Sequence, residues 1–419
     1  MHQLIKNVTI VDPASPHNGQ QLDVRLQDGR IAAIGHALAA EGAQVWDAAA
    51  ACLSPGWVDQ GAFVEDPGQE HREDLHSLAR AAAAGGYTQV VIEPDAQPVR
   101  HDKSGILYVR RQATGLPVAV HPLGALSRDL SGKELSEMID MRQAGALAFS
   151  NGNQPVTHAG LLLRALLYVK TFDGLVINRP LDESVSPGGQ LHEGRMSTQL
   201  GMRGIPALAE ELMIERDLRL LAYTDSRLHL ANISTAAAVE QIRNAKKAGL
   251  RVTASVAALN LVYTDEVLAD FDTHFKLMPP LRGEEDRAAL VEGLTDGTID
   301  WVSSNHRGLE VEAKMLEFPY ADFGAIGLES AFGLMRRATV GRMPLEALID
   351  RLAYRPRMAM GLPLATIETG AAADLTLFAP DERWVFGSQH IRSKSTNTPL
   401  IGHELLGRSL AVFYHQSQA

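Results

Sequence analysis

Between about residues 53 and 362, short β-rich runs alternate with helix-like stretches. The runs include Gln89-Val90-Val91-Ile92, Val118-Ala119-Val120-His121, Ala146-Leu147-Ala148-Phe149 and Leu175-Val176-Ile177-Asn178. They continue with Arg227-Leu228-His229-Leu230-Ala231, Arg251-Val252-Thr253-Ala254-Ser255 and Asp300-Trp301-Val302-Ser303. Helix-like segments at 75–84, 205–222 and 235–248 lie between them. The last opens on Ser234-Thr235, whose hydroxyls suit an N-cap, and Gly249 follows its end. Strands that alternate with helices read as parallel, because a parallel neighbour needs a long crossover. With the strand at Trp57 the unit repeats eight times. That pattern predicts an α/β fold, a (β/α)8 TIM barrel over residues 53–362.

Both ends of the chain read differently. Leu4–Val11 is β-rich and stops at Asp12-Pro13, and Leu22–Leu26 and Arg30–Gly35 flank the turn Asp28-Gly29. Gly370–Phe378, Trp384–Phe386 and Leu410–Tyr414 answer at the other end. The expected arrangement is one small β-sandwich built from residues 1–52 and 363–419, set beside the barrel.

Composition narrows the function classes. A formal net charge of −11 argues against a general nucleic-acid or anionic-membrane binder. No apolar run reaches the 18 residues of a membrane span, and no basic-then-apolar leader opens the chain. The one cysteine, Cys52, allows no intramolecular disulfide, so a cytoplasmic location is expected. Cys52 lies in an apolar run and reads as a small buried hydrophobe.

The motifs carry a contradiction. Residues 55–74 read PGWVDQGAFVEDPGQEHRED, and further fixed-looking segments follow at Gly204–Glu211, Ile233–Ala236, Lys276–Arg282, Phe323–Glu329 and Ser393–Gly402. Together these segments resemble the dihydroorotase family of the amidohydrolase superfamily, in its bacterial longer-chain type. In that family the first barrel strand ends in H-x-H, which grips zinc. The resemblance places those two positions on Gly61 and Phe63. It places the family's bridging Asp on Asn151, its next His on Arg179, a further His on Asn232 and its catalytic Asp on Asn305. Zinc takes His nitrogen, Cys sulfur or carboxylate oxygen, and none of these six side chains offers one. The positions that recognise the substrate's carboxylate fall on Glu65, Asp95, Met278 and Leu309. Two of those are acids, which repel a carboxylate at short range.

The frame without the ligands predicts a catalytically inactive dihydroorotase-like protein with no metal and no cofactor. The resemblance implies a role in pyrimidine biosynthesis as a non-catalytic partner of aspartate carbamoyltransferase. The chain is then a homodimer or higher oligomer beside a separate active enzyme, and the loop Asp66–Asp74 is a candidate docking element. Two alternatives stay open. One is an enzyme acting on a cyclic amide with a rebuilt site that uses Asp59, Glu65, Asp95 or His229. The other is a small-molecule sensor that keeps the barrel-mouth pocket. His229 and the carboxylates Asp66, Glu70, Glu73 and Asp74 each also read as structural. His306 is expected to face away from the site, and His71 and His76 lack the i, i+4 spacing of a zinc helix.

Overall fold

The computed structural model describes residues 2–414. The outermost residues of the expected terminal unit, 1 and 415–419, lie outside the described residues. Five strands open the chain: β1 (His2–Ile10), β2 (Gln21–Gln27), β3 (Arg30–Gly35), β4 (Gln44–Asp47) and β5 (Cys52–Pro55). They share one seven-stranded sheet with the last two strands, β17 (Asp374–Val385) and β18 (Glu404–Tyr414). The order is β18-β17-β5-β1-β2-β3, with β4 also pairing β1. The termini therefore meet through the antiparallel pair β5–β17, in which Leu53 faces Leu377. The expected sandwich is thus a single continuous hydrogen-bonded sheet. Its alternating residues bury a separate apolar cluster around Ile5, Val24, Leu53, Leu375 and Phe413. Burial also pushes the Cys52 thiol up to about 11, which keeps it protonated and unreactive.

Between the ends, parallel strands alternate with helices. β6 (Trp57–Ala62), β7 (Tyr87–Ile92) and β8 (Ala119–Pro122) form one sheet. β9 (Gly124–Ala125), β10 (Phe149–Ser150) and β11 (Val176–Asn178) continue in a second. The small pair β12 (Leu191–His192) and β13 (Gly204–Ile205) stands apart, and β14 (Leu228–Leu230), β15 (Val252–Ala257) and β16 (Trp301–Ser303) complete the second sheet. Leu123 alone separates β8 from β9, so the chain steps from one sheet into the other there. At the far edge Phe63 and Arg307 form a parallel bridge beyond β6 and β16. β10 begins at Phe149, where its nitrogen bonds to Leu175 O, and not at the expected Ala146.

Local chemistry sets the helices. Asp74 caps the helix Leu75–Gly85 by accepting from Ser77 N, and Gly86 ends it at φ 94°. Thr235 caps Ala236–Lys247 as the sequence predicts, accepting from Ala238 N. Gly85 needs its missing side chain, since a Cβ there would lie 2.2 Å from Leu328 O. Among the described residues no helix is long and apolar enough to cross a membrane.

Two buried polar clusters lock the parts together. Asp374, on β17, accepts from Thr88 Oγ1 at 2.5 Å, Gln89 Nε2 at 2.9 Å and Arg357 Nη2 at 3.0 Å. A Cβ on Gly56 would stand 2.0 Å from that carboxylate. The second cluster centres on Glu73, which accepts from the hydroxyls of Ser77 and Ser393 and faces His306 Nε2 at 3.3 Å. Lys394 pairs with Asp74, and Asn397 bonds Leu309 N and Arg307 O at 3.1 and 3.0 Å. The segment 393–397 thus fastens the terminal sheet over the central strands. His306 does face away from the cavity, as expected from its neighbour Asn305.

Two outcomes test these locks. Asp374→Ala leaves Arg357 buried without its partner, and removing one member of a buried pair typically costs about 3–5 kcal/mol. Denaturant unfolding should show a loss of that order. For Glu73, burial alone raises its pKa, but His306 and the two serines outweigh it and the net shift is downward from 4.5. For His306, burial lowers the pKa, but Glu73 outweighs it and the net shift is upward from 6.5. The carboxylate's contribution is complete above 4.5 and fades as pH falls through the lowered value. The imidazolium's is complete below 6.5 and fades as pH rises through the raised value. Glu73→Gln should therefore destabilise most between those two pH values, with the gap to wild type narrowing on both sides. A flat difference across pH would refute the pairing.

Candidate functional site

The carboxyl ends of the parallel strands deliver the side chains that matter, one element at a time. Gly61 and Phe63 come from the end of β6, Glu93 and Asp95 follow β7, and Asn151 follows β10. Arg179 follows β11, Asn232 follows β14 and Asn305 follows β16. Loops at this end of a parallel sheet are where such folds place their sites. Of these, Arg179 and Asn232 line a cavity of about 470 Å³, together with Asn153, Met278, Arg282 and Phe323.

Each predicted site residue has a defined place. Gly61 holds φ 103°, and a Cβ there would meet Ser303 Oγ at 3.1 Å, so the backbone itself disfavours a side chain. Phe63 is a buried plate between two cations: the Arg179 and Arg307 guanidinium carbons lie 5.0 and 5.5 Å from its ring centre. Asn151 is turned to structural use, accepting from Ser127 Oγ at 2.6 Å and donating to Leu130 O at 3.2 Å. Asn305 accepts from Arg179 Nη1 at 3.3 Å and Asn232 Nδ2 at 3.0 Å, and donates to Met278 O at 3.1 Å. Met278 contributes through that carbonyl. Leu309 is buried at 1% exposure, its nitrogen held by Asn397. Glu65 lies 3.8 Å from Arg307 and 4.0 Å from Arg72, a loose pairing at the rim.

The histidine and carboxylates singled out as replacements separate into two groups. Asp59 is fully buried and committed to Ser304, accepting from its nitrogen and hydroxyl at 2.7 Å each. His229 is wedged between Thr253 and Ser255 at 3.0 Å each and stacks on Trp301 with centroids 4.2 Å apart. Burial pushes its pKa down to about 3, so it stays neutral. These two are structural. Asp66 likewise bonds Leu75 N and Tyr108 Oη, which leaves the loop Asp66–Asp74 using its own acids to start a helix. Asp95 is different. Its Oδ1 accepts from Asn153 N at 3.3 Å, while its sheltered Oδ2 has no partner. Gly152 makes room for it, since a Cβ there would lie 1.9 Å from Oδ2.

Sequence reasoning missed Glu93. It is 1% exposed, accepts from Gln60 Nε2 at 3.3 Å through Oε1, and leaves Oε2 without a partner. Burial pushes its pKa up to about 7, against the pull of Arg179. The signal was present: an acid directly after the apolar strand Val90-Val91-Ile92 sits where a parallel strand ends. Arg179 faces it. That side chain is 7% exposed, and its Nε and Nη2 have no hydrogen-bond partner. Asn232 Oδ1 is also unpartnered. Burial lowers the Arg179 pKa while Glu93 and Asp95 raise it, so the three feel one another.

These donors do not fit the zinc that the resemblance implies. Gly61 and Phe63 carry no lone pair, three positions are neutral amides, and Arg179 is itself a cation that repels a dication. Among the described residues no three His, Cys, Asp or Glu side chains gather to hold a metal ion.

The comparisons are consistent in kind. A family model described as dihydro-orotase-like matches residues 51–238. A dihydroorotase of Pelotomaculum thermopropionicum is 42% identical over 410 residues, covering 97% of this chain and 96% of that protein. One from Syntrophus aciditrophicus is 38% identical over 412 residues, covering 97% and 96%. Among solved structures, the L-hydantoinase (dihydropyrimidinase) from Arthrobacter aurescens superposes with a TM-score of 0.84 at 23% identity, covering 98% of this chain and 95% of that one. At that identity the likeness shows the fold alone. The expectation of a non-catalytic partner protein is corrected by the sequence relatives: proteins this similar, over nearly the whole chain, are named dihydroorotase. The physical source of the error is that absent zinc ligands were equated with an absent site. The cavity remains, and Arg179 on its lining keeps two buried donors without a partner. By sequence similarity along almost its full length, the chain belongs to the dihydroorotase family.

Proposed function

We propose that this chain is a hydrolase of the dihydroorotase type, opening a cyclic amide in the cavity at the strand ends. The observation that carries this is the pairing of unsatisfied groups there. Arg179 and Asn232 line the cavity, and two Arg179 donors and one Asn232 acceptor, all buried, have no partner within the protein. A cyclic amide presents the complement, a carbonyl oxygen and an N–H on adjacent atoms. Buried polar groups without partners cost about 1–3 kcal/mol each, so a ligand that satisfies them gains that much. The family relationship makes dihydroorotate the leading substrate.

The architectural part of the proposal is that the parallel strands close into a (β/α)8 barrel over residues 53–362, with 1–52 and 363–419 as the composite β unit. The Phe63–Arg307 bridge and the step from β8 to β9 support that closure. A cytoplasmic site of action fits the one buried, unreactive Cys52. Association of the active chain with aspartate carbamoyltransferase, implied by the family, belongs to the proposal too. Light scattering of the mixed proteins tests it, and an unchanged mass removes it.

Turnover decides the main point. Protein purified from a host deleted for its own dihydroorotase should open dihydroorotate, with a hydantoin and dihydrouracil as comparison rings. No turnover of any of the three sinks the proposal. Arg179→Met should lower kcat/KM by about 100-fold, the scale of losing one oxyanion donor. The same change removes a buried charge that no carboxylate touches, so thermal stability should hold or rise. A variant that loses activity and stability together would place Arg179 in the fold and not in the site.

A further inference from the structure

A second cavity, of about 460 Å³, shares no lining residue with the one described above. Four stretches of chain meet there: β12 and the starts of the helices Arg195–Gln199, Asp265–Leu268 and Glu284–Asp296. Three acids stand on its lining, and two of them are paired. Glu266 faces Arg195 at 3.8 Å, and Glu284 accepts from Arg287 Nε at 2.7 Å. Asp265 is the third. It is 8% exposed, yet among the described residues no other residue donates to its carboxylate or forms an ion pair with it. Its backbone nitrogen donates to Arg282 O at 3.0 Å, which fixes the segment in place.

His192, on the same lining, does not supply the missing charge. An arginine only donates hydrogen bonds. The contact of Arg282 Nη1 with His192 Nδ1 at 3.1 Å therefore makes Nδ1 the acceptor and leaves the ring proton on Nε2. Burial and the Arg282 charge both lower the His192 pKa from 6.5, so the ring is neutral at pH 7. Asp265 is thus a sheltered carboxylate on a cavity wall with no counter-cation, and burial raises its pKa from 3.8. An acid at a helix start can serve the helix alone. Here that helix is only Asp265–Leu268, four residues with little dipole to offset, and its start has no side-chain cap bond.

We propose that this cavity binds a small organic ammonium, with the charged head on Asp265 and the carbon chain along Met196. This site is separate from the hydrolase reading and stands without it. An ammonium head needs one carboxylate and forms charge-assisted hydrogen bonds to it. A metal ion needs several ligands, and among the described residues no three His, Cys, Asp or Glu side chains gather to hold one. Met196 supplies apolar surface, and the cavity has the size of a small-molecule site. Glu266 and Glu284 are 74% and 68% exposed at its mouth, which suits a second positive end. A short linear diamine is the best match to that arrangement.

Calorimetric titration of the full-length protein with 1,4-diaminobutane, at fixed ionic strength, tests the site. Saturable binding of one molecule per chain is expected, and 1,4-butanediol, the uncharged analogue, should not bind. Asp265→Asn should weaken the diamine by about 10-fold or more, the scale of losing a hydrogen bond to a charged group. The diamine should raise the melting temperature of the wild type and leave that of the variant unchanged. Without ligand, the variant should melt at or above the wild-type temperature, because it lacks an unpaired sheltered charge. Titration that never saturates, or equal affinity in Asp265→Asn, overturns the site. A ligand-free variant that melts lower or fails to fold assigns Asp265 to the fold and overturns it too. Magnesium or zinc bound with the same dependence on Asp265, in place of the diamine, overturns the organic ammonium.

Discussion

Asp374 is the contact on which the two halves of the molecule depend. Its carboxylate gathers donors from β7, through Thr88 and Gln89, and from Arg357 on the helix Arg355–Met360, while its own strand belongs to the terminal sheet. The approach is so close that position 56 must be glycine. A sheet built from both ends of the chain needs a long loop closure, whose entropy opposes folding. Burying a satisfied ion pair at the junction fixes the register of β17 against β5 and so aligns the terminal sheet with the strand ends. The Glu73 cluster repeats the device at the other face, where segment 393–397 reaches over the loop that follows β6.

That rigidity explains how the site can hold its charges apart. Arg179 is clamped by an amide, a carbonyl and an aromatic face, none of which neutralises it. Glu93 and Asp95 ride on a turn pinned by Arg100.

The fold was largely legible because it rests on periodicity and punctuation. Thr235 capping, Gly249 after the helix, and the Asp28-Gly29 turn all act locally, so the chain shows them directly. The pairing of β5 with β17 was legible only as a symmetry of composition, since its register depends on contacts more than 300 residues apart. The site was half legible. Aligning Gly61, Phe63, Asn151, Arg179, Asn232 and Asn305 with ligand positions identified what was missing. It could not show that Asp59 and His229 were already spent on Ser304, Thr253 and Ser255. Nor could it show that Glu93 is buried with Gln60 against it, because burial is a property of the assembled strand ends alone.

Two of the three amides sit where the backbone itself favours asparagine. Asn232 and Asn305 stand at φ 55° and 48°, a left-handed region that asparagine tolerates better than most residues. At those positions the backbone admits Asn readily, and the side chains then bond to each other and to Arg179 and Met278 O. The result ties the ends of β11, β14 and β16 to the 278 segment through neutral hydrogen bonds. Strand ends that a shared ion would otherwise draw together are held by this network instead. A hydrogen-bond network differs from an ion in one respect that matters here. It satisfies its members only in part, and leaves two donors on Arg179 and one acceptor on Asn232 without partners, on side chains that line the cavity.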